Sequence, residues 1–167
     1  MILYYPRGDL FASGAQAFVC PVNCLGVHGK GLAKEFARRY PVACRSFTRL
    51  CEHEDTAIEP GCVQFALPDG SPRPPAPVRS PRWIVFFTTK GHWREPSTYE
   101  MVDRGLRHLS HHLGIEDFAV ESIAVPALGA GLGGLDWTRV RTSIEAVANA
   151  PHLRHMKWMI YGPHEAG

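Results

Sequence analysis

The sequence predicts an α/β fold in which helices cover both faces of a central sheet. Short apolar runs alternate along the chain with longer stretches in which apolar residues recur every three or four positions. Strands that alternate with helices in this way are typical of layered α/β sandwiches. We find no internal repeat and no second domain, so we expect one domain over residues 1–167.

The first part of the chain reads as two strands followed by two helices. Ile2–Tyr5 and Ala17–Val22 are predicted strands, and the second is nearly continuously apolar, as strands buried on both faces tend to be. From Gly31 the apolar residues follow the spacing of an amphipathic helix. Pro41 ends this helix and can open the next one.

The middle of the chain holds a proline-rich loop between two strands. Residues 68–81 contain six of the fourteen prolines, which predicts a loop. Arg82–Thr88 follows as the clearest strand in the sequence. Ser97 to Glu100 has the form of a capping box, which predicts a helix start at Ser97. The apolar stripe of that helix consists of Val102, Leu106, Leu109 and Leu113.

The last part of the chain predicts strand, helix and strand. Ser122–Pro126 is a predicted strand, and a glycine-rich turn follows it. Asp136 is a candidate N-cap for a helix with Val140, Ile144 and Val147 inward. Lys157–Tyr161 is the final predicted strand.

Composition narrows the class of protein. With 45% hydrophobic and 20% charged residues, the chain matches ordinary globular proteins. The net charge of +2 argues against a wide basic surface, so any nucleic acid should be contacted locally. No run approaches the ~18 apolar residues of a membrane span. Five cysteines, an odd number, and the lack of a secretory segment favour a reducing cytoplasm over a disulfide scaffold. We expect a cytoplasmic monomer.

Two glycine-rich loops lie between a strand and a helix. Gly129–Gly134 fits G-x-G-x-x-G, in which bare backbone N–H groups at a helix start can hold a diphosphate. A tight turn without a ligand is the alternative. A Rossmann half-domain is disfavoured, because no acidic residue follows at the required distance, near Arg154. Gly26–Gly31 resembles a P-loop without its final hydroxyl, so NTP hydrolysis is disfavoured. The two loops can converge on one diphosphate.

Four blocks in the same order resemble the macrodomain superfamily. These blocks are Gly8–Leu10, Pro21–Ala33, Thr89–Arg94 and Pro126–Trp137. Within the superfamily they are most similar to the DNA ADP-ribosyl glycohydrolase antitoxins and to the terminal ADP-ribose protein glycohydrolases. The resemblance implies a three-layer α/β/α fold around a mixed sheet, a cleft for ADP-ribose, and a hydrolase that needs no metal and no redox cofactor. Such antitoxins usually carry a toxin-binding region after the macrodomain, whereas this sequence ends soon after Tyr161.

The resemblance also implies roles for individual residues. Asp9 would accept a hydrogen bond from the adenine amino group, Asn23 would contact the distal ribose, and Lys90 would be the catalytic lysine. Tyr161, at a strand end, is a further candidate for the adenine pocket. The candidate catalytic residues are Lys90 and Asn23. The candidate ADP-ribose-binding residues are Asp9, Leu10, Gly26, His28, Gly29, Lys30, Gly31, Gly129, Ala130, Gly131, Leu132, Gly133 and Tyr161.

Two chemical roles are open to Lys90. As a neutral amine it can attack the anomeric carbon of the distal ribose, and as a cation it can act on the leaving group. Partial burial and nearby cations, for which Lys30, His92 and Arg94 are candidates, favour the neutral amine. From the residues alone, a solvated lysine just beyond a strand end is the plainer interpretation.

One departure from the resemblance bears on the substrate. The protein-directed relatives usually carry a catalytic aspartate in the second glycine loop, at the position of Gly133 here. Asp136 is better explained as a helix cap. We therefore expect thymidine-linked ADP-ribose on DNA as the first substrate, and ADP-ribosylated aspartate or glutamate on proteins as the second. The alternatives are a non-catalytic ADP-ribose reader and a hydrolase of small ADP-ribose derivatives.

Several histidines and a tryptophan leave their roles open. His28 stands where relatives usually have an apolar residue, so it either touches the ligand or is a partly exposed loop residue. His92–Arg94 either stacks on a nucleobase at the cleft mouth or packs beside the next helix. His108, His111 and His112 share helical spacing, but they lack an evident carboxylate or cysteine partner, so we expect no metal site.

Overall fold

The computed structural model describes residues 1–56, 58–71, 80–115 and 118–163. The strands are β1 (Ile2–Tyr5), β2 (Ala17–Asn23), β3 (Val63–Ala66), β4 (Trp83–Lys90), β5 (Ser122–Val125) and β6 (Lys157–Tyr161). The α-helices are α1 (Gly31–Arg39), α2 (Pro41–Glu52), α3 (Tyr99–Leu113) and α4 (Trp137–Ala148). A short 3₁₀ helix covers Leu10–Ala12.

The strands form one mixed sheet in the order β1-β6-β5-β2-β4-β3. All neighbouring pairs are parallel except β3 and β4, which run antiparallel with Val63 opposite Phe87. The central strands are almost completely buried, as expected where helices cover both faces. The sheet and its helices confirm the predicted α/β fold with a central mixed sheet.

Alternate residues of the strands feed two separate cores. Phe18 and Val19 are neighbours in β2, and they lie on opposite faces of the sheet. The core under α3 and α4 includes Val19, Val85, Leu106, Ile144 and Trp158. The core under α1 and α2 includes Phe18, Phe36, Phe47, Phe86 and Met159. The molecule is therefore three layers deep, with helices outside and the sheet inside.

The predicted helices are confirmed, with one correction at a helix start. Asp136 caps α4 as predicted, because its Oδ1 accepts the Arg139 amide at 3.0 Å. The cap of α3 is Thr98, not Ser97, because the Thr98 hydroxyl accepts the Met101 amide at 3.2 Å. Ser97 instead lies buried under the second glycine loop, with 5% of its surface exposed. The predicted proline-rich loop falls mostly on residues 72–79, which lie outside the described residues.

The parallel arrangement gathers several loops at one edge of the sheet. β1, β2, β4, β5 and β6 all end at this edge, and the chain there continues into the 3₁₀ helix or into a loop. Ligands of open α/β sheets bind at the carboxyl ends of the strands. The candidate residues should therefore be sought at this edge. No helix within the described ranges has the length and apolar character needed to cross a membrane.

Candidate functional site

The first glycine loop, residues 24–31, ends at the first residue of α1 and is organised by the side chain of Asn23. The Asn23 Oδ1 accepts the amides of Leu25 at 3.0 Å and Val27 at 3.2 Å, and its Nδ2 donates to the Val27 carbonyl at 2.9 Å. Asn23 is only 7% exposed. An amide side chain has one further N–H to offer. Asn23 therefore shapes the loop first, and it keeps a single donor for a ligand.

A helix on one side of the sheet also fixes this loop. The Thr48 hydroxyl of α2 lies 2.8 Å from the Gly26 carbonyl oxygen. Gly26 has a φ of +69°, and a Cβ there would lie 2.7 Å from the Thr48 Cα. Only glycine adopts this backbone conformation without strain and still packs so closely against the helix. The first glycine loop is thus held by Asn23 at the end of β2 and by Thr48 of α2.

Lys90 stands beside Asn23 at the end of the neighbouring strand. The two residues are partners across the β2–β4 pair, after a bulge between Val22 and Asn23 in which Thr89 is the extra residue. Bulges redirect the side chains that follow them. The Cys24 amide closes the junction by contacting the carbonyls of Lys90 at 3.0 Å and Gly91 at 3.1 Å. The Lys90 Nζ donates to the Leu132 carbonyl at 3.1 Å. Lys90 therefore bridges the first and second glycine loops.

The second glycine loop, residues 129–134, packs against Ser97. The Ser97 amide donates to the Gly133 carbonyl at 3.1 Å, and the Leu135 amide donates to the Gly129 carbonyl at 2.9 Å. A Cβ added to Gly133 would overlap the Gly129 carbonyl oxygen and the Ser97 hydroxyl. The fold of this loop thus leaves no room for a side chain at position 133. That explains in packing terms why glycine stands there.

The two glycine loops meet in space, as their sequence predicts. A Cβ on Gly31 would lie 3.4 Å from the Leu132 Cδ1. Leu132 itself is 72% exposed, and Gly131 has no neighbour near the position of a Cβ. Two glycine-rich loops that meet beside a lysine are an arrangement that can hold a diphosphate.

The other end of the edge carries the candidate adenine site. The Asp9 Oδ1 accepts the Phe11 amide at 2.9 Å and caps the 3₁₀ helix. Tyr161 is 7% exposed, and its ring stacks on Tyr5 with centroids 4.9 Å apart. Burial raises the pKa of Tyr161, with the neighbouring Tyr5 adding to the shift. Leu10 lies in the core at 4% exposure, so only its backbone can serve a ligand.

His28 occupies an environment that the sequence did not indicate. Its ring makes edge contacts with Phe47 and Phe86, each at a centroid distance of 6.2 Å. Burial lowers the pKa of His28, and a hydrogen bond with the Gly26 backbone offsets part of that shift. Its Nε2 is buried without a hydrogen-bond partner among the described residues. The side chain thus joins the core under α2, whereas Gly29 and Lys30 are among the exposed residues of the loop.

The histidines of α3 form a pair. The His108 Nδ1 accepts the Val63 amide at 3.1 Å, and its Nε2 lies 2.9 Å from the Nε2 of His112. Among residues 1–56, 58–71, 80–115 and 118–163, no group of three or more histidine, cysteine, aspartate or glutamate residues could hold a metal ion. The histidine pair therefore connects α3 to β3, away from the glycine loops.

Comparison with known proteins fits this arrangement. The family model of the Macro domain matches residues 19–144 of the chain. The chain belongs to the Macro domain family. The DNA ADP-ribosyl glycohydrolase of Thermus aquaticus is 37% identical over 164 residues, which are 98% of this chain and 42% of that protein. This Macro domain therefore spans less than half the length of that curated relative.

Solved structures show the same architecture. The macrodomain of Mycobacterium tuberculosis DarG superimposes with a TM-score of 0.85 at 34% identity, covering 98% of this Macro domain and 99% of that chain. Thermosipho africanus DarTG in complex with ADP-ribose superimposes with a TM-score of 0.75 at 29% identity, covering 92% of this chain and 40% of that chain. The three-layer Macro domain fold predicted from the four sequence blocks is confirmed.

Sequence reasoning missed two residues that build the site. Ser97 supports the second glycine loop, and Thr48 supports the first. The capping-box pattern drew attention to Ser97 for a different reason, and Thr48 gives no local signal at all. Both contacts join segments distant in the chain, so only the fold reveals them.

Proposed function

We propose that this chain is a mono-ADP-ribosyl hydrolase that removes ADP-ribose from thymidine in single-stranded DNA, with ADP-ribosylated aspartate or glutamate on proteins as a second substrate. The position of Lys90 carries the proposal, because its Nζ donates to the second glycine loop at the Leu132 carbonyl and its backbone pairs with that of Asn23, which organises the first loop. The similarity to a DNA ADP-ribosyl glycohydrolase over 98% of this chain supports the choice of DNA.

In this proposal ADP-ribose lies along the carboxyl edge of the sheet. Adenine lies near Tyr161, with its amino group donating to Asp9, as a carboxylate suits an amino donor. The diphosphate lies between the glycine loops, where backbone N–H groups face the anion. The distal ribose lies against Asn23 and Lys90, which places its anomeric carbon near the amine.

Two routes are open to Lys90. In the first, the neutral amine attacks the anomeric carbon, the bond to the leaving group breaks, the leaving group takes the electron pair and a proton, and water then displaces the lysine. In the second, water attacks and the ammonium donates a proton to the leaving group. Position 133 supplies no carboxylate to activate water, since a side chain there would overlap Ser97. This feature supports the DNA-directed chemistry.

The test is release of ADP-ribose from two matched substrates. One is a single-stranded oligonucleotide modified at a thymidine, and the other is a protein modified at a glutamate. We expect release from the oligonucleotide. Lys90→Ala should abolish turnover while it keeps ADP-ribose affinity. Lys157→Ala is the matched control, because Lys157 is exposed at the opposite edge of the sheet.

The outcomes separate the candidate functions. Release from the protein alone would make this a protein-directed hydrolase. Tight binding of ADP-ribose with no release from either substrate would favour the reader. Full turnover in Lys90→Ala would refute the role given to Lys90. We further propose that the chain acts as a monomer, which sedimentation of the purified protein would check.

A further inference from the structure

The rim of the proposed cleft carries an unusual share of exposed apolar surface. Eight large hydrophobic residues are exposed in the described part of the chain, and four of them lie on the three loops around Lys90. These four are Leu25, Val27, Trp93 and Leu132. Isolated exposed apolar residues need no explanation, but a cluster on converging loops marks an interaction surface. The rim therefore has the character of a contact site for something larger than ADP-ribose.

Trp93 is presented on a turn that local hydrogen bonds hold rigid. The His92 amide donates to the Glu95 carboxylate at 3.3 Å, the Arg94 amide donates to the His92 Nδ1 at 3.1 Å, and the Glu95 amide donates to the His92 carbonyl at 3.0 Å. The turn begins directly after Lys90, and its Gly91 carbonyl is tied to Cys24. Trp93 is therefore fixed beside the cleft without packing into the core.

Three flat groups contact one another on this turn. The His92 ring is stacked on the Trp93 indole with centroids 5.3 Å apart, and the Arg94 guanidinium lies 4.5 Å from the indole centroid. Trp93 still keeps 43% of its surface exposed. Aromatic side chains joined to an arginine are what proteins use to stack on the bases of single-stranded nucleic acid. In a duplex those faces are already stacked.

The charge around the rim matches a phosphate backbone. Lys30 and Arg94 are both exposed, one on the first glycine loop and the other on the turn that follows Lys90. One acid, Glu95, stands on the same turn, and its carboxylate accepts the His92 amide at 3.3 Å. A flexible anionic strand with bases that can stack satisfies both the cationic and the aromatic groups.

We propose that His92, Trp93 and Arg94, the rim platform, bind the nucleotide next to the ADP-ribosylated thymidine in single-stranded DNA. This assignment rests on the proposed function, because it takes the modified strand to be the substrate. The platform adds affinity for the strand, whereas ADP-ribose binding depends on the glycine loops. It therefore favours modified DNA over the modified nucleoside.

The test measures binding in the Lys90→Ala protein, so that turnover does not interfere. The ligands are an ADP-ribosylated thymidine nucleoside and a 12-nucleotide single strand that carries the same modification. We expect the strand to bind between about fivefold and a hundredfold more tightly, as stacking of one base would give. Adding Trp93→Ala should remove that ratio and leave the affinity for the nucleoside unchanged. Trp93→Phe should retain much of it, and Leu50→Ala, an exposed apolar residue of α2, should retain all of it.

Two further readouts make the result decisive. Annealing a complementary strand should remove the advantage, and Arg94→Ala should lower the salt dependence of strand binding by about one phosphate contact. Equal affinities for strand and nucleoside would overturn the platform, as would a Trp93→Ala defect on a glutamate-modified protein but not on the strand. If the protein with Lys90 intact releases no ADP-ribose from the strand, the proposed function fails, while the binding ratio still decides the platform.

Discussion

Gly133 is the position at which this site differs from one that uses an acidic side chain. A Cβ there would overlap the Gly129 carbonyl and the Ser97 hydroxyl, so an aspartate cannot be added without moving the loop. We expect Gly133→Asp to weaken ADP-ribose binding and not to raise the release of ADP-ribose from a glutamate-modified protein. Gly133→Ala should lower the free energy of unfolding by about 1–3 kcal/mol, the usual cost of overpacking. Calorimetric titration and urea unfolding would measure both effects.

The second glycine loop supplies its own control for that experiment. Gly131 has open space around a Cβ position and no left-handed φ. Gly131→Ala should therefore change the free energy of unfolding by less than about 0.5 kcal/mol. Equal destabilisation by the two alanine variants would show that packing against Ser97 does not restrict position 133.

At the scale of single residues, the sequence predicts a contact correctly where the contact joins residues that are close in the chain. Asp136 caps α4 as predicted, because a cap depends on residues three positions away. By residue type alone, Ser97 and Thr98 are equally good helix caps. In the structure the Ser97 amide donates to the Gly133 carbonyl, and Thr98 is the residue that caps α3. The sequence likewise could not show that His28 packs on Phe47, because nothing local to His28 brings α2 against it.

At the scale of elements, the histidine pair ties α3 to β3 in a single protonation state. Because the His108 Nδ1 accepts the Val63 amide, the neutral ring carries its proton on Nε2. That N–H donates a hydrogen bond to the Nε2 of His112. Burial lowers the pKa of both residues. Charge repulsion from His111 and Arg104 adds to the shift of His108, and repulsion from His108 and His111 adds to that of His112. A second proton on His112 would place two N–H groups face to face. A second proton on His108 would break its hydrogen bond with the Val63 amide of β3.

This arrangement predicts a pH-dependent stability. A histidine whose folded pKa is lowered stabilises the fold fully above its unfolded pKa of about 6.5, and that contribution declines as the pH falls below it. We expect the free energy of unfolding to fall as the pH is lowered from about 7 to about 5, by at most about 1 kcal/mol per pH unit for this half-exposed pair. His112→Phe, beside Phe65 and Phe118, should reduce the slope, measured by urea unfolding at each pH.

Two other histidines serve as controls for these unfolding measurements. His28 also has a pKa lowered by burial, so part of the slope should persist in His112→Phe. His155→Gln, at an exposed histidine, should behave like the unaltered protein. Stability that does not change between pH 7 and pH 5 would show that the pair is no more than a surface contact.

The whole sheet sets the shape of the proposed ligand site. Alternating strands and helices were enough to predict the layers, and the buried stripe of α3 was read correctly from its spacing. The sequence predicts no bounds for β3, because four mostly half-buried residues leave little periodicity to detect. The order of the strands was also beyond the sequence, since it depends on how distant segments pair. That order places β6 and β4 three strand spacings apart, about 14 Å.

This separation predicts how the protein responds to ADP-ribose and to its two halves. Asp9 and Tyr161 lie at one end of the edge and Lys90 at the other, so only the whole ligand engages both. At a hundred times its Kd, ADP-ribose should stabilise the fold by about 2.7 kcal/mol and raise the Tm by roughly 5–10 °C. Adenosine monophosphate and ribose 5-phosphate at the same concentration should each give a much smaller shift, because each loses the benefit of being linked to the other half. Asp9→Ala should remove the response to the nucleotide and spare the response to the sugar phosphate. If the nucleotide alone matched ADP-ribose in thermal unfolding, binding energy would come from the adenine end only, and the distal ribose would not be held at Lys90.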